Sequence, residues 1–259
     1  MAERGYWRSK TVLIAGGSGG MGRAIAARFL ADGASLYLCD MNRNSLDEAA
    51  RELGATAKVI EADITRVADC ARAINDAVDE SGRLDLLINA AGIWTEGPSE
   101  AATEAEWDRV VDVNLKGTFF MCRYAIPHLE KTGGTIINIS SDAGVIGSKG
   151  AAIYCASKGG VNLLTKSLGR ELAARGIRVN AICPCDVDTP MIEYQANTFG
   201  KGDPEAYKRA LLSIYPQGAR ARFVTPAEIA AFVYFVASPE AAPITGACLS
   251  IDFGTTAGI

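Results

Sequence analysis

Short apolar runs alternate with longer segments of helical period through most of this chain. Near the start, "TVLIAG" is followed by "GRAIAARFLADG", and "SLYLCD" is followed by "NSLDEAARELG". The apolar runs have the length of buried strands, and the segments between them have the length of crossover helices. The alternation predicts an α/β fold: a three-layer, doubly wound parallel sheet of about seven strands with helices on both faces.

The length of the chain favours one domain. An α/β pattern spread over 259 residues commonly builds one large core, so we expect residues 1–259 to form a single domain. One stretch, residues 189–223, interrupts the alternation with turn residues and scattered aromatic residues but no strand. Long irregular insertions in compact domains often act as lids. We expect this one to cover a substrate pocket.

Composition excludes several classes of partner. Lysine and arginine number 26 against 30 acidic residues, giving a formal charge of −4 without a basic block, so we expect neither nucleic acid nor anionic lipid as a partner. The first ten residues are polar, and the apolar runs are too short to span a bilayer. Seven scattered cysteines suit a reducing compartment. We therefore expect a soluble, cytoplasmic protein and, because Cys183 and Cys185 have no neighbouring histidine, no metal site.

A glycine-rich loop, "AGGSGGMGRAIA", joins the first predicted strand to the first predicted helix. The unpaired N–H groups at the start of a helix bind phosphate groups, so a glycine loop in this position predicts a dinucleotide site. Two glycine spacings fit the loop equally well. One uses Gly17, Gly19 and Gly22, and the other uses Gly16, Gly20 and Gly22.

Asp40 ends the second predicted strand, about 20 residues after the loop. A carboxylate in this position accepts hydrogen bonds from the adenosine ribose hydroxyls and repels a 2′-phosphate. Arg43 follows three residues later and is more simply a solvated loop cation than a phosphate ligand. We expect NAD rather than NADP as the cofactor.

Tyr154 and Lys158 lie four residues apart in "AAIYCASKGG". At the start of a helix this spacing places both side chains on one face. An ammonium group and the positive ring of an oxidised nicotinamide both favour a phenolate, so we expect them to lower the pKa of Tyr154 from about 10 toward neutrality. The spacing alone is common in amphipathic helices, and the other motifs decide its meaning.

Together these segments resemble the short-chain dehydrogenase/reductase family in its single-domain form. The glycine loop is joined by "NAAG" at residues 89–92, by "VNLKG" around Asn114, and by "INISS", which ends at Ser141, 13 residues before Tyr154. The resemblance covers nearly the whole chain and implies a Rossmann fold. It also implies a catalytic tetrad formed by Asn114, Ser141, Tyr154 and Lys158.

The resemblance implies which residues hold the cofactor. Asp63 in "EADIT" matches the family's acidic residue near the adenine, and Val187 and Thr189 match the positions that hold the nicotinamide carboxamide. The implied cofactor-binding set is Gly16, Ser18, Gly20, Met21, Gly22, Asp40, Asp63, Ile64, Asn89, Ala90, Gly92, Tyr154, Lys158, Pro184, Val187 and Thr189.

The reaction that the resemblance implies is the interconversion of a secondary alcohol and a ketone. Tyr154 takes the hydroxyl proton while hydride leaves the same carbon for the nicotinamide. Ser141 holds the substrate oxygen, Lys158 bridges the nicotinamide ribose hydroxyls, and Asn114 anchors a water chain that leads to solvent.

The chain departs from the family pattern at two positions. Pro184-Cys185 stands where the family usually has Pro-Gly, and Phe253 occupies the middle of "DFG", where the family usually has Asp-Gly-Gly. A side chain at position 185 narrows the pocket beside the nicotinamide. These departures bear on the shape of the substrate rather than on the binding of the cofactor.

The loops that the resemblance places over the nicotinamide supply the candidate substrate contacts. The apolar members favour a cyclic or otherwise apolar secondary alcohol, whereas Asp142 and Asp186 suit a sugar or polyol. The candidate set is Trp94, Ser141, Asp142, Ile146, Ile153, Cys185, Asp186, Met191, Tyr194 and Phe199.

Three functions remain compatible with the sequence. The first is an NAD-dependent dehydrogenase of a secondary alcohol. The second is an NADPH-dependent keto reductase of the 3-oxoacyl-carrier-protein type, which Asp40 disfavours. The third is a dinucleotide sensor that has lost the chemistry, which would predict damage to the tetrad that the sequence does not show.

Two glycines inside a predicted helix point to an assembly. Gly159 and Gly160 each cost about 1 kcal/mol relative to alanine in a helix interior, and a close helix contact would explain them. Members of the family commonly pair this helix across a subunit interface, so the resemblance implies a homotetramer.

Overall fold

Seven strands form one parallel sheet in the computed structural model, which describes residues 5–54 and 56–257. Their bounds are β1 Thr11–Ala15, β2 Ser35–Asp40, β3 Lys58–Glu61, β4 Leu86–Asn89, β5 Thr135–Ile139, β6 Arg178–Pro184 and β7 Cys248–Ile251. The order across the sheet is β3-β2-β1-β4-β5-β6-β7, and every neighbouring pair is parallel. This Rossmann-like sheet confirms the predicted fold class.

Nine α-helices surround the sheet within the same described ranges. They are α1 Gly20–Leu30, α2 Arg43–Glu52, α3 Val67–Ser81, α4 Glu104–Val111, α5 Thr118–Thr132, α6 Ala152–Leu172, α7 Pro190–Phe199, α8 Pro204–Ser213 and α9 Pro226–Ala237. The apolar residues of β1 alternate between the two faces of the sheet. Val12 and Ile14 pack with α1 and α9 on one face, whereas Leu13 and Ala15 pack with α3 and α5 on the other, which gives the predicted three layers.

One π-helical turn separates helices α4 and α5. Asp112–Gly117 joins α4 to α5, and such turns are often found at functional sites because they redirect a side chain. This turn carries Asn114, whose side chain is fully buried.

The segment 189–223 is largely helical, whereas the sequence suggested an irregular insertion. Pro190 and Pro204 occupy the first turns of α7 and α8, where the missing proline N–H costs nothing. The Asp203 side chain accepts a hydrogen bond from the backbone of Ala206 at 2.8 Å and caps α8.

The described residues contain no helix that is long and apolar enough to cross a membrane. Across the same residues, no group of three or more histidine, cysteine, aspartate or glutamate side chains is arranged to hold a metal ion. All seven cysteines are free thiols.

Candidate active site

The loop after β1 packs too closely to admit side chains at several of its glycines. A Cβ atom at Gly22 would lie 2.2 Å from the carbonyl oxygen of Gly16, and one at Gly16 would lie 2.4 Å from the backbone nitrogen of Ala91. At Gly20 the nearest atom would be Thr189 Cγ2 at 2.9 Å, whereas at Gly19 it would be 3.4 Å away. Gly17 is equally crowded, with Leu38 Cβ at 2.9 Å. Only the spacing 16, 20 and 22 is crowded at all three positions, because the alternative includes Gly19, which has room for a methyl group.

The start of α1 fits the pyrophosphate of a dinucleotide. Gly19 precedes the helix without a side-chain cap, and the first turn contains no acidic residue. The first N–H groups of the helix are therefore free to bind an anion, and the helix dipole favours negative charge there.

Asp40 lies beside this loop at the end of β2. The Ser18 hydroxyl donates a hydrogen bond to Asp40 Oδ2 at 2.6 Å, and the backbone N–H of Met41 donates to Oδ1 at 2.8 Å. Arg43 instead donates to Asp47 within α2 at 2.9 Å. A carboxylate thus stands where the adenosine ribose of a bound dinucleotide would lie, and the nearby cation is engaged with its own helix.

The remaining implied cofactor residues follow the same edge of the sheet. Asp63 lies in a polar crevice after β3, where its carboxylate accepts a hydrogen bond from the Thr65 hydroxyl at 2.8 Å. After β4, a Cβ atom at Gly92 would approach Lys158 Nζ to 3.3 Å. Asn89 is buried and holds Asn138 Oδ1 through a 2.9 Å hydrogen bond. The crevice, loop and helix start together fit a nicotinamide dinucleotide.

The fold places the four tetrad residues near one another at the carboxyl ends of the central strands. Ser141 follows β5, Tyr154 and Lys158 begin α6, and Asn114 lies in the π turn. Only 7% of Tyr154 and 4% of Lys158 is exposed. The Asn114 amide group accepts a hydrogen bond from the N–H of Ile93 at 2.8 Å and donates to its carbonyl oxygen at 3.0 Å, so it fixes the loop after β4.

The pKa of the Tyr154 phenol differs from the value that the sequence led us to expect. Burial raises the pKa of its phenol, and the negative charges of Asp142 and Asp186 raise it further. A hydrogen bond with Ser141 acts in the opposite direction but does not offset the burial. The expected lowering of this pKa is therefore not found in the protein chain alone, because burial outweighs it. Lys158 Nζ lies 5.7 Å from the centre of the phenol ring and makes its hydrogen bond to Ile139.

Lys158 is itself perturbed by burial. Its ammonium group donates to the carbonyl oxygen of Ile139 at 2.9 Å. Removal from water lowers the pKa of Lys158 to about 8, because burial disfavours the charged form. The residue is still mainly charged at neutral pH.

Two half-buried carboxylates flank the phenol. Ser141 Oγ donates to Asp142 Oδ1 at 2.8 Å, and burial raises the pKa of Asp142. Burial also raises the pKa of Asp186 to about 6, with a contribution from Asp142. The Tyr215 hydroxyl donates to Asp186 Oδ2 at 2.8 Å.

A cavity of about 370 Å³ opens beside Tyr154. It brings together most of the predicted substrate contacts and adds Met21, Pro184, Val187 and Thr189 from the implied cofactor set. The predicted substrate residues that line it are Trp94, Ser141, Asp142, Ile146, Cys185, Asp186 and Met191. Burial raises the pKa of the Cys185 thiol to about 12, so this departure from the family pattern contributes a neutral thiol to the cavity wall.

Three predicted substrate residues do not line this cavity. Ile153 lies one residue before Tyr154 on α6 and therefore points about 100° away, into a neighbouring groove. The Tyr194 side chain is 48% exposed, and its ring packs edge-on against Phe199 with centroids 6.3 Å apart. The pair packs together on α7.

The cavity also contains residues that the sequence did not reveal. They are chiefly Glu96 from the loop after β4, Tyr207 and Leu211 from α8, and Ile214 and Tyr215 after it. The spacing of Tyr207, Leu211 and Ile214 is that of one helix face, and this period is the signal that would have identified α8.

The sequence was compared with those of known protein families. Residues 10–198 match the family described as short chain dehydrogenase. The chain belongs to this family. The motifs that carried the resemblance lie within the matched residues, and the resemblance is confirmed.

Relatives and solved structures match nearly the whole chain. A 2-(S)-hydroxypropyl-CoM dehydrogenase of Xanthobacter autotrophicus is 39% identical over 96% of this chain and 98% of its own length. A cyclopentanol dehydrogenase of Comamonas testosteroni is 36% identical over 98% of this chain and 99% of its own. The structure of a 3-ketoacyl-(acyl-carrier-protein) reductase from Brucella melitensis complexed with NADH superimposes with a TM-score of 0.86 and 33% identity, covering 96% of this chain and 99% of that one.

Proposed function

We propose that this protein is an NAD-dependent dehydrogenase that interconverts a secondary alcohol and a ketone. The observation that carries the proposal is the position of Tyr154, which lines the cavity together with Ser141 and lies on one helix with Lys158. Both hydroxyls are therefore available to one substrate oxygen, at the edge of the sheet where the glycine loop would hold a dinucleotide.

In the proposed reaction, the protein moves the proton. A bound nicotinamide dinucleotide supplies the hydride acceptor for oxidation and the hydride donor for reduction. Tyr154 takes the hydroxyl proton of the alcohol, and Ser141 turns its hydrogen from Asp142 to the substrate oxygen and stabilises the charge that develops there. Asn114 is proposed to start the path by which the proton reaches solvent.

The raised pKa of Tyr154 has a direct consequence for the direction of the reaction. A neutral phenol is the form that donates a proton to a ketone, so reduction is supported at neutral pH. Oxidation needs the phenolate, which the positive charges of Lys158 and an oxidised nicotinamide favour. We therefore expect alcohol oxidation to be fastest at alkaline pH.

The preference for NAD is supported by Asp40. Its carboxylate is held in place by Ser18 and the backbone of Met41, and it would repel the 2′-phosphate of NADP. Arg43 is engaged by Asp47, which leaves it less available to bind that phosphate. The Brucella reductase that was solved with NADH is similar to this chain over nearly its full length.

A neutral substrate is supported by the charges in the cavity. Three carboxylates stand against one ammonium group on its walls, which also carry apolar side chains: the charged residues are Asp142, Asp186, Glu96 and Lys149, and the apolar ones include Trp94, Ile146 and Met191. Carboxylates repel anionic substrates and accept hydrogen bonds from hydroxyls, whereas the apolar residues suit a ring. We propose a cyclic or otherwise apolar secondary alcohol first and a polyol second, and the cyclopentanol dehydrogenase relative supports the first.

A keto reductase is the second candidate, because the Brucella relative carries that name. The same residues would catalyse it in reverse. Asp40 argues against the NADPH-dependent form. The acidic cavity wall would also repel the negatively charged phosphodiester of a substrate attached to an acyl carrier protein.

The proposal extends to assembly and location. Leu163 on α6 is 68% exposed, and a side chain at the nearby Gly159 would have no closer neighbour than 3.9 Å, which supports a helix contact with another subunit. Gly160 has an explanation within the chain, because a Cβ atom there would lie 2.7 Å from Leu115. We propose a cytoplasmic homotetramer, and a stable monomer in sedimentation would contradict the assembly.

The test measures NADH formation by absorbance, with cyclic, steroidal, aromatic and polyol alcohols as candidate substrates. Each alcohol is assayed with NAD and with NADP as the cofactor. We expect turnover of at least one uncharged secondary alcohol with a higher kcat/KM for NAD. An advantage for NADP of about tenfold, or about 1.4 kcal/mol, would overturn the cofactor assignment. Absence of turnover with all alcohols and with the matching ketones, in protein that binds NADH, would favour the dinucleotide sensor instead.

A further inference from the structure

Helix α8 is held over the cavity without a buried side chain. None of its ten described residues is fully buried, and of its apolar side chains the partly buried Leu212 packs against the main core. Less apolar surface therefore holds α8 than holds the helices against the sheet. Its contact with the opposite wall is polar. The Tyr207 hydroxyl donates a hydrogen bond to Glu96 Oε2 at 2.6 Å, across 111 residues of sequence.

The same oxygen of Glu96 has a second donor. Trp94 Nε1 donates to Glu96 Oε2 at 2.9 Å. The Trp94 ring in turn packs against the Tyr154 ring, with centroids 4.5 Å apart and planes inclined by 56°. Trp94, Glu96 and Tyr207, which we name the Glu96 junction, therefore connect α8 to the phenol that the proposed reaction uses.

We propose that Glu96 is a positioning residue that sets the closure of α8 and the orientation of Tyr154 together. The proposal rests on the proposed function, because it assigns the junction to the same site. Movement of α8 away from the cavity breaks the bond from Tyr207 and leaves Trp94 as the remaining donor of the junction to Glu96 Oε2. Closure restores both donors to one oxygen, and this holds Trp94 against the phenol while α8 covers the substrate.

This arrangement predicts coupled effects of substitution at two distant positions. Glu96→Ala removes the acceptor for both donors, whereas Glu96→Gln keeps one acceptor oxygen of similar size. Tyr207→Phe removes only the donor on α8. If one junction is responsible, Tyr207→Phe has no further effect in the Glu96→Ala background, because the bond that it removes is already absent.

The experiment uses hydrogen exchange and kinetics on the full chain. We expect Glu96→Ala and Tyr207→Phe to speed amide exchange in residues 204–213 by about tenfold, with and without NADH, because local opening becomes easier. With an alcohol that the wild type oxidises, each of the two substitutions should lower kcat/KM by about tenfold. The double variant should have the same kcat/KM as Glu96→Ala, and Glu96→Gln should retain part of the activity that Glu96→Ala loses. The Kd for NADH should stay unchanged.

Matched controls lie on exposed surfaces of the same chain. Glu130→Gln removes an exposed ion pair with Arg175, and Tyr124→Phe removes a hydroxyl that contacts Arg123; neither should alter exchange in residues 204–213. Unchanged exchange in Glu96→Ala, or losses of kcat/KM that multiply in the double variant, would overturn the proposal. If the wild type oxidises no alcohol, the proposed reaction fails, and the exchange experiment alone still decides whether the junction holds α8.

Discussion

The Lys158 ammonium group lies 5.7 Å from the centre of the Tyr154 ring and makes its hydrogen bond to the carbonyl oxygen of Ile139 instead. The two residues share a helix face, yet no hydrogen bond joins them among the described residues. Lys158 is therefore a buried cation whose near partner is a neutral carbonyl group. Such a group costs stability, and this cost is measurable.

Replacing Lys158 should stabilise the protein while removing activity. A lowering of its pKa from 10.5 to about 8, at about 1.4 kcal/mol for each pKa unit, costs about 3 kcal/mol at neutral pH. Lys158→Met removes that cost and leaves the Ile139 carbonyl without its donor, which costs about 1 kcal/mol. We expect the free energy of urea unfolding at pH 7 to rise by about 2 kcal/mol.

The pH dependence of this gain has a definite sign. Between pH 8 and 10.5 the unfolded chain binds a proton at Lys158 that the folded chain does not, so the wild type gains stability as pH rises through that interval. The advantage of Lys158→Met should therefore shrink by pH 10. Lys166→Met on the exposed side of α6 is the control and should show neither effect; an advantage that grows with pH would contradict the assignment.

Tyr154→Phe should abolish turnover while leaving cofactor binding intact. The substitution removes one hydroxyl and keeps the ring that packs against Trp94. We expect a loss of kcat of about 1000-fold or more, with an NADH Kd, measured by fluorescence, within about twofold of the wild type. Substantial residual activity would remove Tyr154 from the mechanism, and Tyr124→Phe serves as the control.

Asp186→Asn should move the pH profile of alcohol oxidation to lower pH. The negative charge of Asp186 is one of the causes that raise the pKa of Tyr154, and Asp186 carries that charge above its own pKa of about 6. The amide oxygen can still accept the hydrogen bond from Tyr215. The alkaline rise of kcat should therefore begin at lower pH in the variant.

The control for this shift is Asp188→Asn, two residues away on an exposed position. The pH profile of alcohol oxidation in Asp188→Asn should be the same as that of the wild type. A profile that is unchanged or displaced to higher pH in Asp186→Asn would show that this carboxylate does not act on the phenol.

Gly22→Ala should damage the dinucleotide loop, whereas Gly19→Ala should not. A Cβ atom at Gly22 would lie 2.2 Å from the Gly16 carbonyl oxygen, a backbone atom with little freedom to move. We expect a loss of stability of about 2 kcal/mol or more in Gly22→Ala and weaker binding of NADH. Gly19 has an extended backbone and a nearest contact of 3.4 Å, so its alanine variant should cost about 1 kcal/mol or less. Equal damage by both would contradict the spacing 16, 20 and 22.

The fold was predictable because its signal is local. Each buried strand is an apolar run and each covering helix has its own period, so the order of elements follows from the sequence. The exceptions have physical causes. Helix α8 buries none of its described residues, because its apolar face lines the cavity instead of the core. Ile153 precedes Tyr154 on α6 and therefore points into the neighbouring groove.

Motifs were enough to pick out Asn114, Ser141, Tyr154 and Lys158 as a group that the fold brings together, but the contacts around them were not predictable. The sequence placed Lys158 beside Tyr154, yet the position of its ammonium group depends on Ile139 at the end of a different element. Likewise, Glu96 gains its role only because the fold brings Tyr207 to it from 111 residues away. Pairings of this kind arise from tertiary packing and have no signature in either segment alone.

Asp40→Asn should weaken the preference for NAD. The substitution keeps the shape of the side chain and an acceptor for the Ser18 hydroxyl but removes the negative charge that would repel a 2′-phosphate. We expect kcat/KM for NADP to rise relative to NAD by about tenfold, equivalent to about 1.4 kcal/mol. Asp108→Asn, on an exposed turn of α4, is the control and should leave the ratio unchanged. If Asp40→Asn also leaves it unchanged while the protein remains folded and active, the preference does not originate at the end of β2, and the charge of Asp40 has no part in selecting the cofactor.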